Sequence, residues 1–277
     1  MDLTQEQYAV LHQGAFGDDE YISDIVSAKS YAPDRATWRE FESVLPEGPL
    51  LEIGPGTGHF LAAAREARRE VYAIESSSVH REFVRRTWGI EAVASLEDLP
   101  RATPPFASVV MFNTIEHVFD VAALFLALRE RLRAGAVVFV STCNADCIIV
   151  PVVGVYWSMF KPPDHVSIPS ADGFRRLAPR VGLSVSRVWT GELPLETPIG
   201  LATAARDYLL EHRAGPPVPG GEHATQDGPA ATPAAKAVLR RIVRGAMDLT
   251  SRVDPTRRIT TRMGKAAAIR ALFRRDA

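Results

Sequence analysis

The chain has 277 residues, 46% of them hydrophobic, which is enough for a sizeable core in one or two domains. A formal net charge of −1 gives no ground to expect a nucleic-acid partner, and two cysteines are too few for a disulfide scaffold. Cys143 and Cys147 have no histidine pair with ligand spacing beside them, so no metal is expected. The opening Met1-Asp2-Leu3-Thr4-Gln5-Glu6 is polar and acidic, unlike a signal peptide. The most apolar run, 147–160, is broken by Pro151 and Gly154 and is too short to span a bilayer, so the expectation is a cytoplasmic protein without stable membrane insertion.

Helical patterns cover residues 4–13, 18–29 and 34–44, and in the third Trp38, Phe41 and Leu45 fall on one face. Residues 50–53, Leu-Leu-Glu-Ile, then read as a strand running into Gly54-Pro55-Gly56-Thr57-Gly58. Glycines at Gly54, Gly56 and Gly58 let the backbone take positive φ and let a ligand lie against the main chain. Residues 59–69 are rich in helix formers, so the loop opens a helix whose first N–H groups face that ligand. A dinucleotide fingerprint needs its third glycine where His59 stands. A second short strand ends at Glu75, 21 residues past Gly54, near the spacing at which an acid meets ribose hydroxyls. NAD and S-adenosylmethionine both carry such a ribose, and the glycine spacing favours the second.

Further strands are read at 71–74, 91–94, 108–112, 137–141 and 183–189, alternating with helical runs, which predicts a mostly parallel sheet with helices on both faces. Ligands bind beyond the carboxyl ends of such strands. That rule selects 54–58, Glu75, 95–98, 113–117 and 142–144. Ahead of Asp164-His165 stand Trp157, Phe160, Pro162 and Pro163. Residues 214–232 are dense in Gly and Pro and read as a linker. From Ala234 onward 12 Lys and Arg face 3 Asp and Glu, a local balance of +9 that leaves −10 for the rest. The basic amphipathic stretch 236–262 is read as a helix packed on the domain or on a second subunit, with a membrane surface or an acidic partner as the rival.

Three blocks resemble one family: Leu51-Glu52-Ile53-Gly54-Pro55-Gly56-Thr57-Gly58, Phe112-Asn113-Thr114-Ile115-Glu116-His117-Val118, and Asp164-His165-Val166-Ser167 leading into 174–183. Together they resemble the class I S-adenosylmethionine-dependent methyltransferases, most closely the small-molecule branch related to ubiquinone-biosynthesis O-methyltransferases. The resemblance implies a Rossmann-like seven-stranded sheet with an N-terminal helical lid and a helical C-terminal insertion. It divides the chain into a lid (1–46), a cofactor-binding core (47–190), an insertion (191–262) with a linker at 214–233, and the last, antiparallel strand within 263–277; a C-terminal helix is the rival for 265–274. Ala107 and Arg133-Ala134-Gly135 depart from the family pattern without touching the cofactor region.

By that resemblance Glu52, Gly54, Gly56, Gly58, Glu75, Ser95, Leu96, Asn113 and Tyr31 hold the cofactor, while Tyr21, Trp157 and Phe160 border a small-molecule acceptor. Tyr21 and Tyr31 are equally read as packing tyrosines, and Trp157 and Phe160 as a core plug under a loop. Methyl transfer to oxygen also needs a base. His165 stands first and His117 second, with the Glu116-His117 pair holding the loop after the fourth strand as its alternative. Twenty-eight arginines against four lysines suggest a GC-rich bacterial genome and secondary metabolism. An S-adenosylmethionine-binding cyclase and a non-catalytic binding protein are the competing functions, and a homodimer is left open.

Overall fold

In the computed structural model, residues 32–148, 150–157, 159–191 and 267–276 are described. Tyr21, Tyr31, the helices expected at 4–13 and 18–29, the linker 214–233 and the basic stretch 236–262 lie outside them. In chain order the elements are α1 (Arg35–Phe41), β1 (Leu50–Ile53), α2 (His59–Glu66), β2 (Val71–Ile74), α3 (Ser78–Trp88), β3 (Ala92–Val93) and β4 (Phe106–Phe112). They continue as α4 (Val121–Arg131), β5 (Leu132–Cys143), the single turn α5 (Val150–Val153), α6 (Ala171–Arg180), β6 (Ser184–Gly191) and β7 (Ala268–Arg274). The chain divides into two compact units. The first holds the described residues up to Ala145, then Lys161–Trp189 and the C-terminal strand from Ile269; the second contains Asp146–Phe160.

Seven strands form one sheet in the order β3-β2-β1-β4-β5-β7-β6. β1 pairs in parallel with β2 (Leu50↔Val71) and with β4 (Leu50↔Ser108), and β4 pairs in parallel with β5. β7 lies between β5 and β6, and the contacts of Ser184 with Arg274 and of Ser186 with Leu272 run it antiparallel to β6. This is the last strand expected within 263–277, and the helical rival for 265–274 falls.

Alternation along the strands sorts the core into two faces. Leu50, Val110 and Phe139 pack on one side with Trp38 and Phe41 of α1 and Phe60, Ala63 and Ala64 of α2. Phe41 and Phe139 stand 4.5 Å apart between ring centroids, and Phe60 and Phe112 4.9 Å. Leu51, Ile53, Val109 and Met111 face the other way, toward Phe125 and Leu128 of α4 and Phe174 and Ala178 of α6. With helices on both faces, β1 is buried along its whole length, which is why it reads as an unbroken apolar run apart from Glu52.

The helices begin where short polar side chains precede them. Asp34 accepts from Thr37 N, Ser77 from His80 N, Asp120 from Ala123 N and Ser170 from Gly173 N. α2 differs: its N-cap is Gly58 at φ 71°, so no side chain occupies the space in front of its first N–H groups.

Candidate active site

Three glycines after β1 serve three different ends. A Cβ on Gly54, at φ 69°, would stand 2.5 Å from Thr114 Oγ1, so this glycine makes room for the loop after β4. A Cβ on Gly58 would stand 3.0 Å from Val84 and 3.1 Å from Trp88, so this one lets α3 close on α2. Gly56, at φ 54°, has nothing within 4 Å of its absent side chain. Among the three, Gly56 is the glycine whose bare backbone faces open space for a ligand.

Two acids stand behind this loop. Glu75, at the end of β2, accepts from Gly56 N at 3.0 Å through Oε2 and from Ser77 N at 2.9 Å through Oε1, so its carboxylate is held rigidly at the loop's centre. Glu52 is 3% exposed and its Oε2 has no hydrogen-bond partner. Burial, and then the negative charge of Glu75, push its pKa up to about 8, against a backbone N–H from Leu61 that favours the ionised form. A buried carboxyl with an unsatisfied oxygen is matched by a cation or a hydrogen-bond donor brought by a ligand.

Asn113 follows β4 at φ 48°, a left-handed conformation uncommon outside glycine, with its N–H on Ser141 O at 2.8 Å. Thr114 Oγ1 donates to Ile53 O at 3.1 Å, which ties the loops after β1 and β4 together. Ser95 Oγ donates to Asp98 Oδ2 at 2.9 Å, so that hydroxyl stabilises its own turn, and Leu96 packs partly buried against the core. Glu52, Gly54, Gly56, Gly58, Glu75 and Asn113 thus share the carboxyl ends of β1, β2 and β4, and Ser95 and Leu96 follow β3.

Beyond β4 the fold assembles a second group. Glu116 is buried, its carboxylate accepts from Thr142 Oγ1 at 2.7 Å, and its main-chain carbonyl accepts from Val166 N and Ser167 N. Those main-chain bonds dock the segment around Asp164 onto the segment around His117. His117 Nδ1 lies 3.1 Å from the Asp164 carbonyl and 3.0 Å from its carboxylate. The rings of His117 and His165 meet edge to face with centroids 4.8 Å apart, and His165 Nε2 is 3.8 Å from the Asp164 carboxylate. Glu116 fastens the loop after β4, and the His117 ring faces His165.

Trp157, 3% exposed, and Phe160, 46% exposed, belong to the second unit. Sequence reasoning passed over Asp164 as a site residue, although it adjoins His165 in the chain. His59, seen from sequence as an interruption of a glycine motif, holds the chain ahead of α1: its ring Nδ1 is 2.9 Å from Ala32 O, and its carbonyl accepts from Asp34 N.

The strand order, the glycine cradle and the acid at the end of β2 define an α/β methyltransferase fold. A family model described as a methyltransferase domain matches residues 29–188, more than half of the chain, and the chain belongs to that family, the class I methyltransferases with S-adenosylmethionine as cofactor. No curated protein matches the chain in sequence. Among solved structures it is similar to a methyltransferase from Archaeoglobus fulgidus, with TM-score 0.53 and 14% identity over 93% of this chain and 100% of that one. It is also similar to a geranyl diphosphate methyltransferase solved with GPP and sinefungin (0.50, 17%, 87% and 77%) and to the [4+2]-cyclase SpnF (0.50, 16%, 88% and 81%). The cofactor fits the residues present, because Gly56 leaves an open approach to the backbone and Glu52 keeps an unsatisfied buried oxygen.

Proposed function

We propose that this enzyme methylates an oxygen of a small-molecule acceptor, with nitrogen or carbon as the lesser alternatives, in bacterial secondary metabolism. Within the family we place it on the branch related to ubiquinone-biosynthesis O-methyltransferases, on the strength of its three sequence blocks. The observation that carries the reading is the grouping of His117, His165 and Asp164 beyond β4. A hydroxyl acceptor needs its proton removed, and an imidazole oriented by a carboxylate does that near neutral pH.

S-adenosylmethionine, when bound, supplies an electrophilic methyl group on a sulfonium whose sulfur leaves neutral. Glu75 receives the ribose hydroxyls, Gly56 gives the backbone approach, Ser95 and Leu96 border the adenine, and Glu52 and Asn113 face the aminoacyl end. Tyr31 and the lid of residues 1–46 close over the cofactor. Tyr21, Trp157 and Phe160 exclude water from the acceptor, which strengthens alignment of the two reacting groups. His165 takes the acceptor's proton and His117 supports it through Asp164. The division we propose, read from the sequence, is a core of 47–190 and an insertion of 191–262 with a linker at 214–233. No helix among the described residues is long and apolar enough to cross a membrane; the cytoplasmic location proposed rests on the sequence alone.

The test is incubation of the purified chain with methyl-labelled cofactor and a panel of phenols, lipophilic alcohols and amines. The expected result is one labelled methyl on oxygen per S-adenosylhomocysteine formed, with His165→Ala slower by about 10²–10⁴-fold and cofactor affinity retained. Cofactor binding with no methylated product from any acceptor would move the chain to the cyclase reading, which its equal likeness to SpnF keeps second.

A further inference from the structure

Helices α1, α3, α4 and α6 each begin on a side chain that caps them, and α2 does not: its N-cap is Gly58, with no side-chain hydrogen bond. A capping oxygen there would stand where the cofactor approaches the first N–H groups, so the bare start belongs to the site. It leaves the first turn of α2 without the usual local restraint. We infer that Trp88 and His59 are positioning residues that supply this restraint from outside, holding the first turn of α2 in its cofactor-ready geometry before the cofactor arrives. This deepens the cofactor reading and rests on it for the identity of the ligand.

Trp88 closes α3, and its indole Nε1 donates to Thr57 O at 2.7 Å, which ties the residue ahead of the N-cap to a neighbouring helix. The approach depends on Gly58, because a Cβ there would stand 3.1 Å from Trp88 Cδ1 and 3.3 Å from Nε1. Trp88 is itself held by Arg65 of α2, whose Nη1 donates to the carbonyls of Trp88 and Gly89 at 2.6 and 2.9 Å. The two helices thus close a circuit: α2 fixes the end of α3, and the end of α3 fixes the loop that starts α2.

On the other side of the cap, His59 is tied to the chain that enters α1. Its carbonyl accepts from Asp34 N at 2.9 Å, and its ring Nδ1 lies 2.9 Å from Ala32 O. A carbonyl only accepts, so the hydrogen of the second bond sits on Nδ1. The His59 ring also meets the Trp88 ring edge to face, with centroids 5.4 Å apart. Between them Gly58 N donates to Pro55 O at 2.8 Å, so three consecutive residues have their main chain fixed. Leu61, in the same turn, sends its N–H to the buried carboxyl of Glu52. A site that is competent in only a fraction of free molecules binds with its affinity reduced by that fraction. Losing the Trp88 or the His59 side-chain bond lowers the fraction, so the effect is read in cofactor affinity.

The test takes two readings on the full chain: calorimetric affinity for S-adenosylhomocysteine, and hydrogen exchange without cofactor at Ala62, whose N–H bonds Gly58 O. Trp88→Phe keeps a ring beside His59 and removes the donor. His59→Ala removes the ring and its donor, and His59→Asn returns a donor near the Nδ1 position. The expected result is affinity weakened about 3–10-fold in Trp88→Phe and His59→Ala, with His59→Asn within about twofold of the parent. Exchange at Ala62 quickens in the same two variants and not in His59→Asn. Ser170→Ala, which removes the cap of α6 on Gly173 N, lowers the melting temperature and leaves both readings unchanged. Affinity or exchange unaltered in both Trp88→Phe and His59→Ala overturns the inference, as does a loss in His59→Ala that His59→Asn fails to repair. A parent chain that binds no S-adenosylhomocysteine sinks the cofactor reading instead, and exchange at Ala62 still decides whether the two side chains hold the turn.

Discussion

Glu52 keeps its proton to about pH 8 because it is buried beside Glu75, and this links cofactor binding to pH. A positively charged ligand group beside the unsatisfied oxygen draws the carboxyl into its ionised form, so binding at pH 7 releases a proton. Calorimetric titrations with S-adenosylmethionine in buffers of different ionisation enthalpy therefore give different apparent heats, and Glu52→Gln removes the difference. Stability follows the same group. The unfolded chain loses this proton near pH 4.5 and the folded chain near 8, so Glu52's favourable contribution is complete below about pH 4.5 and lost as pH rises through about 8. Glu52→Gln is expected to be more stable than the parent at pH 9 by on the order of a few kcal/mol and nearly equal at pH 4, read from denaturant midpoints. The glycines separate in a similar way. Gly56→Val meets only the strain of φ 54°, about 1–2 kcal/mol, but fills the open approach and abolishes cofactor binding. Gly54→Ala meets Thr114 and lowers the melting temperature, at a cost of about 1–3 kcal/mol. From sequence the three glycines look alike; the neighbours that distinguish them come from the loop after β4 and from α3, which lie far along the chain.

Element ends were legible where one local signal governs them. Leu50–Ile53 is read to the residue, since Pro49 precedes it and Gly54 turns the chain at its end. β5 is read as 137–141 but spans Leu132–Cys143, because Arg133-Ala134-Gly135 has a turn's composition. The backbone continues there as strand with Gly135 at φ 73° and its N–H on Arg275 O, a partner supplied by the far end of the chain. β3 is shorter than expected, Ala92–Val93 against 91–94. Helix α1 shows the opposite case, a start written in its own residues. Asp34 accepts from both the N–H and the hydroxyl of Thr37, at 3.0 and 2.7 Å, so Asp34→Ala should cost about 0.5–2 kcal/mol, measured as a lowered denaturation midpoint. The histidine pair was only half legible. Each histidine stands out in its own block, but their meeting depends on Val166 and Ser167 docking onto the Glu116 carbonyl, a main-chain contact that no side-chain pattern announces.

At the scale of the molecule, the alternation of strands and helices fixes a layered α/β sheet, and the reversal between β7 and β6 completes the methyltransferase order. That order places the β1 and β4 loops side by side, so the carboxyl-terminal edge of the sheet, where its strands end, carries both the glycine cradle and the histidine group. The central claim is that this edge binds S-adenosylmethionine at Gly56. Parallel calorimetric titrations of the parent chain and Gly56→Val with S-adenosylmethionine, S-adenosylhomocysteine and NAD test it most directly. The account predicts that the parent binds the first two and not NAD, and that the folded variant binds none; NAD binding by the parent, or undiminished affinity of the variant for S-adenosylmethionine, would contradict it.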